Sequence, residues 1–202
     1  MTNAFLQTIR SIAAIPPEEE AKLCNITVTQ NIKKGGSFIR EGDVPHKFAF
    51  ISRGLFRYYY VNEKGSEFTK GFFPEHNFIT SYTAMVKGKP SFYSIEALED
   101  STLLVVDYQQ WQNLYQGHSC WLNFLFSLLE KGYMKKESRE RELLISSAQE
   151  RYGTFLREYP NLYKRLKQHL IASYLGITPV ALSRIRKEMS FPGNEDQNIS
   201  IR

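Results

Sequence analysis

The chain has 202 residues, 42% hydrophobic and 14% aromatic, enough for one large or two modest domains with a real core, which excludes a disordered or low-complexity protein. Its charge of +5 at pH 7 is unevenly spread: residues 1–130 hold twelve basic and thirteen acidic side chains, whereas residues 151–187 hold eight Lys or Arg (151, 157, 164, 165, 167, 184, 186 and 187) against one acid, Glu158. Cys24 and Cys120 lack a CxxC partner or clustered histidines, the apolar run 121–129 is too short for a bilayer, and no basic-then-apolar leader precedes Pro16, so the expectation is a cytoplasmic protein with no metal, no cofactor, no membrane partner and buried free thiols.

Residues 3–24 read as one or two short helices broken at Pro16 and Pro17, with Glu18, Glu19 and Glu20 favouring the N-terminus of the second. From Thr27 to about Asp107 the chain turns to short segments rich in β-branched and aromatic residues: Val28, Ile32, Phe38, Ile39, then 48–51, 56–61, 68–73 and 103–106. Gly, Asn, Asp and Pro clusters separate them, a spacing that predicts a sandwich or barrel. After a short helix at 111–116, residues 119–147 contain no Pro and a single Gly. Apolar residues repeat there at three and four, predicting one long helix. Pairing of its apolar first half with a symmetry mate, through Leu122, Leu125 and Leu129, and burial under its own barrel both fit this periodicity.

Residues 168–187, QHLIASYLGITPVALSRIRK, have the pattern of a helix-turn-helix. Ile171 and Leu175 share a face of a first helix, and Leu182, Ile185 and Met189 a face of a second. Gly176 supplies the positive φ of a sharp turn, Thr178 and Pro179 restart a helix as N-cap and first residue, and the small Ala172 lets the helices cross steeply. Val180, Ala181, Ser183, Arg184, Arg186 and Lys187 then point outward. Ser and Arg read base edges, Val and Ala can touch a thymine methyl, and Lys187 and Arg186 suit phosphate. With Thr178, and with Lys167 and His169 at the start of the first helix, these form a candidate interface for double-stranded DNA, and the local positive charge fits it. An amphipathic hairpin belonging to another core is the alternative.

The segments GGSFIREGD, FAFISRGLFRYYYVNEKGSEFTKGFFPEHNFI and SIEALEDSTLLVVD resemble the cyclic-nucleotide-binding β-barrel, with glycines 36, 42, 54, 65 and 71 where that barrel turns. With the helix-turn-helix behind them, residues 20–188 resemble the Crp–Fnr family of bacterial transcription regulators. The resemblance implies an α+β fold: an N-terminal antiparallel jelly-roll barrel for effector sensing (1–117), a long dimerisation helix (118–147) and a C-terminal winged helix-turn-helix (148–202). Residues 198–201 are the candidate for a wing strand. It also implies a homodimer that binds DNA and works with RNA polymerase.

The family's nucleotide binders hold the ribose and cyclic phosphate with a glutamate and, ten residues on, an arginine. In FITSYTAMVKGKPSFYSIEAL those positions fall on Ser81 and Ser91, so a cyclic phosphate lacks its charged partner and cyclic AMP is not the expected effector. Phe78, Ser81, Tyr82, Ser91, Phe92 and Tyr93 are the candidates for lining a pocket for another small molecule, core aromatics being the plainer reading. Lys87 and Lys89 can supply charge there or lie on the surface. At the start of the recognition helix, where some members carry Arg-Glu, this chain has Pro179 and Val180, so only Arg184 carries over.

Two rival functions remain open. A cupin-like enzyme needs clustered metal ligands, whereas His46, His76, His118 and His169 are scattered, so no catalytic residues are assigned. A protein-interaction or small-ligand-sensing barrel with a degenerate helix-turn-helix would not need the basic flank.

Overall fold

A computed structural model of the chain describes residues 2–189, which form two compact units divided between Lys135 and Lys136. The possible wing at 198–201 lies outside the described residues.

The first unit opens with two helices, α1 (Thr2–Ile12) and α2 (Pro17–Asn25), separated where Pro16 is held extended and Pro17 starts α2. Eight strands follow: β1 (Thr27–Ile32), β2 (Ser37–Ile39), β3 (Lys47–Arg53), β4 (Phe56–Val61), β5 (Glu67–Phe73), β6 (Phe78–Ile79), β7 (Ser94–Ala97) and β8 (Ser101–Asp107). They make two antiparallel four-stranded sheets, ordered β1-β8-β3-β6 and β2-β7-β4-β5. The expected antiparallel jelly-roll architecture is thus present. The short strands β6 and β7 carry no long apolar run of their own, which is why the residue pattern alone did not mark them.

The first sheet is buried on both faces, and this explains the continuous apolar runs of β3 and β8. Ala49, Ile51, Leu103 and Val105 point between the sheets, against Phe56, Tyr58, Ile79 and Ile95. Their alternates Phe50, Leu104 and Val106 point the other way, against a helical layer with Phe5, Ile9, Leu23, Trp111 and Trp121. That layer is completed by α4 (Tyr108–Gly117) and by the start of α5 (Cys120–Ile145). Asp107 begins α4 by accepting the amides of Gln109 and Gln110.

Glu19, buried on α2, accepts the Trp121 indole N–H at 2.8 Å and pairs with Lys22 at 2.6 Å. The Trp121 bond ties α2 to the first turn of α5, and the Lys22 pair lies within α2. At Gly54, φ is +115° and an added Cβ would lie 2.9 Å from the Ser101 backbone, so the β3–β4 turn requires glycine. Cys24 is half-buried and Cys120 buried, both free.

The long helix α5 has 26 residues. Trp121 and Phe124 face the helical layer, and Leu125 and Leu128 pack at its margin. Leu125 therefore does not share the exposed face expected of it. At about 100° per residue the exposed row is instead Leu122, Phe126, Leu129 and Tyr133, with Phe126 68% exposed.

The second unit contains the end of α5, then α6 (Ala148–Glu158), a 3₁₀ turn (Leu162–Lys164), α7 (Gln168–Leu175) and α8 (Pro179–Met189). Helix α6 starts with a capping box: Glu150 N–H donates to Ser147 Oγ, and Ser147 N–H donates to Glu150 Oε2. Tyr152, Phe155, Tyr159, Leu162, Leu166, Leu170 and Tyr174 are its buried core, together with the helix-turn-helix residues Ile171, Ala172, Leu175, Leu182 and Ile185. Met189, expected on the core face of α8, is 36% exposed because it lies on the last turn of that helix.

Candidate effector pocket and nucleic-acid interface

Inside the barrel, Ser81 and Ser91 are both buried and their hydroxyls are hydrogen-bonded to each other at 2.9 Å. Ser91 Oγ also donates toward the Tyr93 carbonyl at 2.7 Å. Next to them Tyr58 stacks on Phe73 (4.2 Å between centroids) and on Tyr93 (5.2 Å), and Tyr60 meets Tyr93 edge-on. The Tyr58 and Tyr93 hydroxyls converge on the Thr80 carbonyl at 3.3 and 3.4 Å, and Tyr58 Oη accepts the Thr80 N–H at 2.9 Å. Burial raises both phenol pKa values, Tyr58 well above the ordinary value of 10.0, so both stay neutral donors. Lys70 places its ammonium 4.1 Å from the Tyr93 centroid, a cation–π contact.

Two of the six residues expected to line an effector pocket, Phe78 and Phe92, point away from this cluster. Phe78 points into the helical layer, beside Phe5, Phe50 and Phe124, because strand alternation turns Ile79 inward. Tyr82 opens α3 (Tyr82–Lys87) and is half-buried. Phe92 is 80% exposed: the Ser91 N–H donates to the Asp43 carbonyl and its own carbonyl accepts from Gly42, which fixes Ser91 inward and its neighbour outward. The neighbours of Tyr93 in this cluster are instead Tyr58, Tyr60, Lys70 and Thr80, with Phe73 stacked on Tyr58. The alternation in the run Tyr58-Tyr59-Tyr60 was the available signal for two of them.

Arg57, buried on β4, cannot stand in for the absent arginine. It lies on the face opposite Tyr58, over the Tyr59 ring at 4.1 Å, bonded to Glu67 and Glu96 at 2.7 Å each.

In the second unit the turn between α7 and α8 is built as the residues dictate. Gly176 has φ +70°, and Thr178 Oγ1 accepts the Ala181 N–H at 3.1 Å. Leu182 and Ile185 are buried, so Val180, Arg184 and Lys187, at i, i+4 and i+7, lie on the opposite face of α8, with Ser183 beside them. All four are exposed, Val180 to 72%, and so are Thr178 and Arg186, while Ala181 is half-buried. At the N-terminus of α7, Lys167 and His169 are exposed.

Arg151, counted above with the basic flank, is committed internally. Its Nε donates to the Leu175 carbonyl at 3.0 Å and its Nη1 to the Ser146 carbonyl at 2.5 Å. Arg139 on α5 donates to the Tyr174 carbonyl and to Glu142, with its guanidinium 4.0 Å from the Tyr174 centroid. Burial raises the Tyr174 and Tyr159 phenols, the latter to about 12.

Residues 29–118 match the model of the cyclic nucleotide-binding domain. No curated protein matches the sequence. Among solved structures, the chain is similar to FixK2 from Bradyrhizobium japonicum (17% identity over 83% of this chain and 86% of that one, TM-score 0.74). It is also similar to the c-di-GMP-responsive global regulator CLP from Xanthomonas campestris (13%, covering 88% and 93%, TM-score 0.70). A Eubacterium rectale protein assigned to the Crp/Fnr family is a third (17%, covering 87% and 83%, TM-score 0.67). Among the described residues no helix is long and apolar enough to cross a membrane. Residues 29–118 thus carry a cyclic nucleotide-binding domain, and the chain has the fold of the Crp/Fnr regulators.

Proposed function

We propose that the chain is a homodimeric, sequence-specific DNA-binding transcription regulator whose barrel does not answer to cyclic AMP. The observation that carries it is the outward face of α8, where Val180, Ser183, Arg184 and Lys187 stand clear of the core on a helix held by a tight, capped turn. Such a face presents a guanidinium and a hydroxyl to base edges, a branched methyl pair to thymine and an ammonium to phosphate. Lys167 and His169 add a second contact to the backbone from the start of α7. The role is non-catalytic.

The division of labour assigns sensing to 1–117, dimerisation to 118–147 and DNA binding to 148–202. Two copies meeting along α5 would hold two recognition helices for half-sites about 34 Å apart. The exposed row Leu122, Phe126, Leu129 and Tyr133 supports this, since spacings of four, three and four form a seam when two helices pair. Leu125 supports that seam from its flank.

Ser81 and Ser91 stand where the resemblance places the carboxylate and guanidinium that anchor a cyclic phosphate, and Tyr58, Phe73 and Tyr93 pack beside the paired serines. The similarity to CLP, itself responsive to c-di-GMP, supports a barrel whose effector is other than cyclic AMP.

Titration of the purified protein against genomic DNA fragments, with recovery and sequencing of the bound fraction, tests the function. Enrichment of a palindromic site is expected. Uniform weak retention of all fragments, or none, overturns it.

A further inference from the structure

Helix α7 ends with every one of its last four carbonyls accounted for. The Ala172 carbonyl accepts Ile177 N–H at 3.0 Å and the Ser173 carbonyl accepts Gly176 N–H at 3.2 Å, the backbone closure that a left-handed Gly176 permits. The remaining two, Tyr174 and Leu175, are taken by Arg139 and Arg151. A helix C-terminus ordinarily leaves such carbonyls to water. Here they are met by guanidinium groups from two other helices, and each group favours the negative end of the α7 dipole.

Both arginines are held in place themselves. Arg139 is braced by Glu142 one turn along α5 and by the Tyr174 ring beneath it. Arg151 spans two carbonyls, that of Ser146 just after α5 and that of Leu175 at the end of α7. Only a planar fork can make these pairs of contacts at once, whereas a lysine brings the same charge to a single point. The turn residues Gly176, Ile177 and Thr178, and with them the first residue of α8, follow directly from the carbonyls so fixed.

We infer that Arg139 and Arg151 are positioning residues for DNA reading: they lock the last turn of α7 to the end of α5 and the start of α6, and so fix the attitude of the recognition helix, without contacting DNA. This rests on the proposed DNA-binding function and adds the means by which the reading helix is held. It also removes two cations from the phosphate-binding set, although one of them lies within the basic flank.

The test compares wild type with Arg139→Ala, Arg151→Ala and Arg151→Lys. On the free proteins, hydrogen exchange at the Gly176 and Ile177 amides is expected to quicken about tenfold or more in the alanine variants, with exchange in the barrel strands unchanged. On DNA, affinity for the selected site is expected to fall roughly tenfold, the effect of losing one charge-assisted hydrogen bond. Affinity for random DNA, and the slope of log affinity against log salt, should stay at the wild-type values. Arg151→Lys should behave like Arg151→Ala. A slope shallower by about one per protomer would make these residues phosphate contacts and overturn the inference, as would full rescue by lysine or unchanged exchange. A wild type that binds no DNA would reject the proposed function instead, and the exchange measurement would still decide whether the two arginines hold α7.

Discussion

Ser81 and Ser91, ten residues apart and both buried in the barrel, bond hydroxyl to hydroxyl at 2.9 Å, at the two positions that the sequence resemblance assigns to the nucleotide-anchoring glutamate and arginine of the Crp–Fnr family. The pair is neutral and is satisfied together with the Tyr93 carbonyl, so a cyclic phosphate arriving there would be desolvated without the paired carboxylate and guanidinium as partners. Millimolar cyclic AMP is therefore expected to leave the melting temperature and the DNA affinity unchanged. A ligand bound at a hundred times its Kd would stabilise by about 2.7 kcal/mol, a shift of several degrees in a thermal scan for a chain of this size.

On the proposed DNA-binding function, charge on α8 divides by role. Lys187→Ala is expected to weaken binding to all sequences alike and to make the salt slope shallower by about one per protomer, from a wild-type value near about −5 for a dimer neutralising roughly six phosphates. Arg184→Ala should in addition relax base preference at one position per half-site, at a cost of about 1–3 kcal/mol on the specific site. Parallel titrations on specific and random DNA over a salt series separate the two, and equal losses for both variants would reject this division.

The proposed α5 seam makes a prediction about assembly. Phe126→Glu places like charges opposite each other if two α5 helices pair, and should yield monomers by light scattering together with loss of affinity for a palindromic site. Because Phe126 is exposed in the protomer, the far-ultraviolet dichroism should be unchanged. Leu125→Glu, by contrast, should lower protomer stability, since Leu125 packs at the edge of the helical layer. A dimeric Phe126→Glu protein with full operator affinity would place the interface elsewhere.

Acid should loosen the contacts of α2 with α1 and α5. The bonds from Lys22 and Trp121 hold the Glu19 carboxyl below its ordinary value of 4.5, and Arg10 does the same for Glu20. A depressed carboxyl pKa contributes stability that is fully present above the ordinary value and is lost as pH falls through the folded one. Stability measured by denaturant titration should thus be flat from neutral pH down to about 5 in this respect and decline below it. Glu19→Gln, which keeps an acceptor for the indole but no titrating charge, should be less stable at pH 7 and show a shallower decline. An identical acid limb in both proteins would show that Glu19 contributes nothing to it.

Local patterning in the chain determined the parts that depend on near neighbours. Most of the helix-turn-helix was readable because its determinants lie within twenty positions: apolar spacing for the buried face, Gly176 for the left-handed turn, Thr178 and Pro179 for the restart. The strands with long apolar runs, the breaks between them and the long helix were legible for the same reason, and so was the absence of charge at Ser81 and Ser91. Tertiary structure alone decided which way each side chain of a doubly buried strand points, sending Phe78 to the helical layer and Tyr58 to the barrel, since an apolar residue is equally at home on either side. It alone showed that Phe126 replaces Leu125 in the exposed row, because what covers a helix comes from elements distant in sequence. It alone separated Arg151 from the other cations of the basic flank, because a positive charge reads the same in a sequence whether it meets a phosphate or the last carbonyl of a helix.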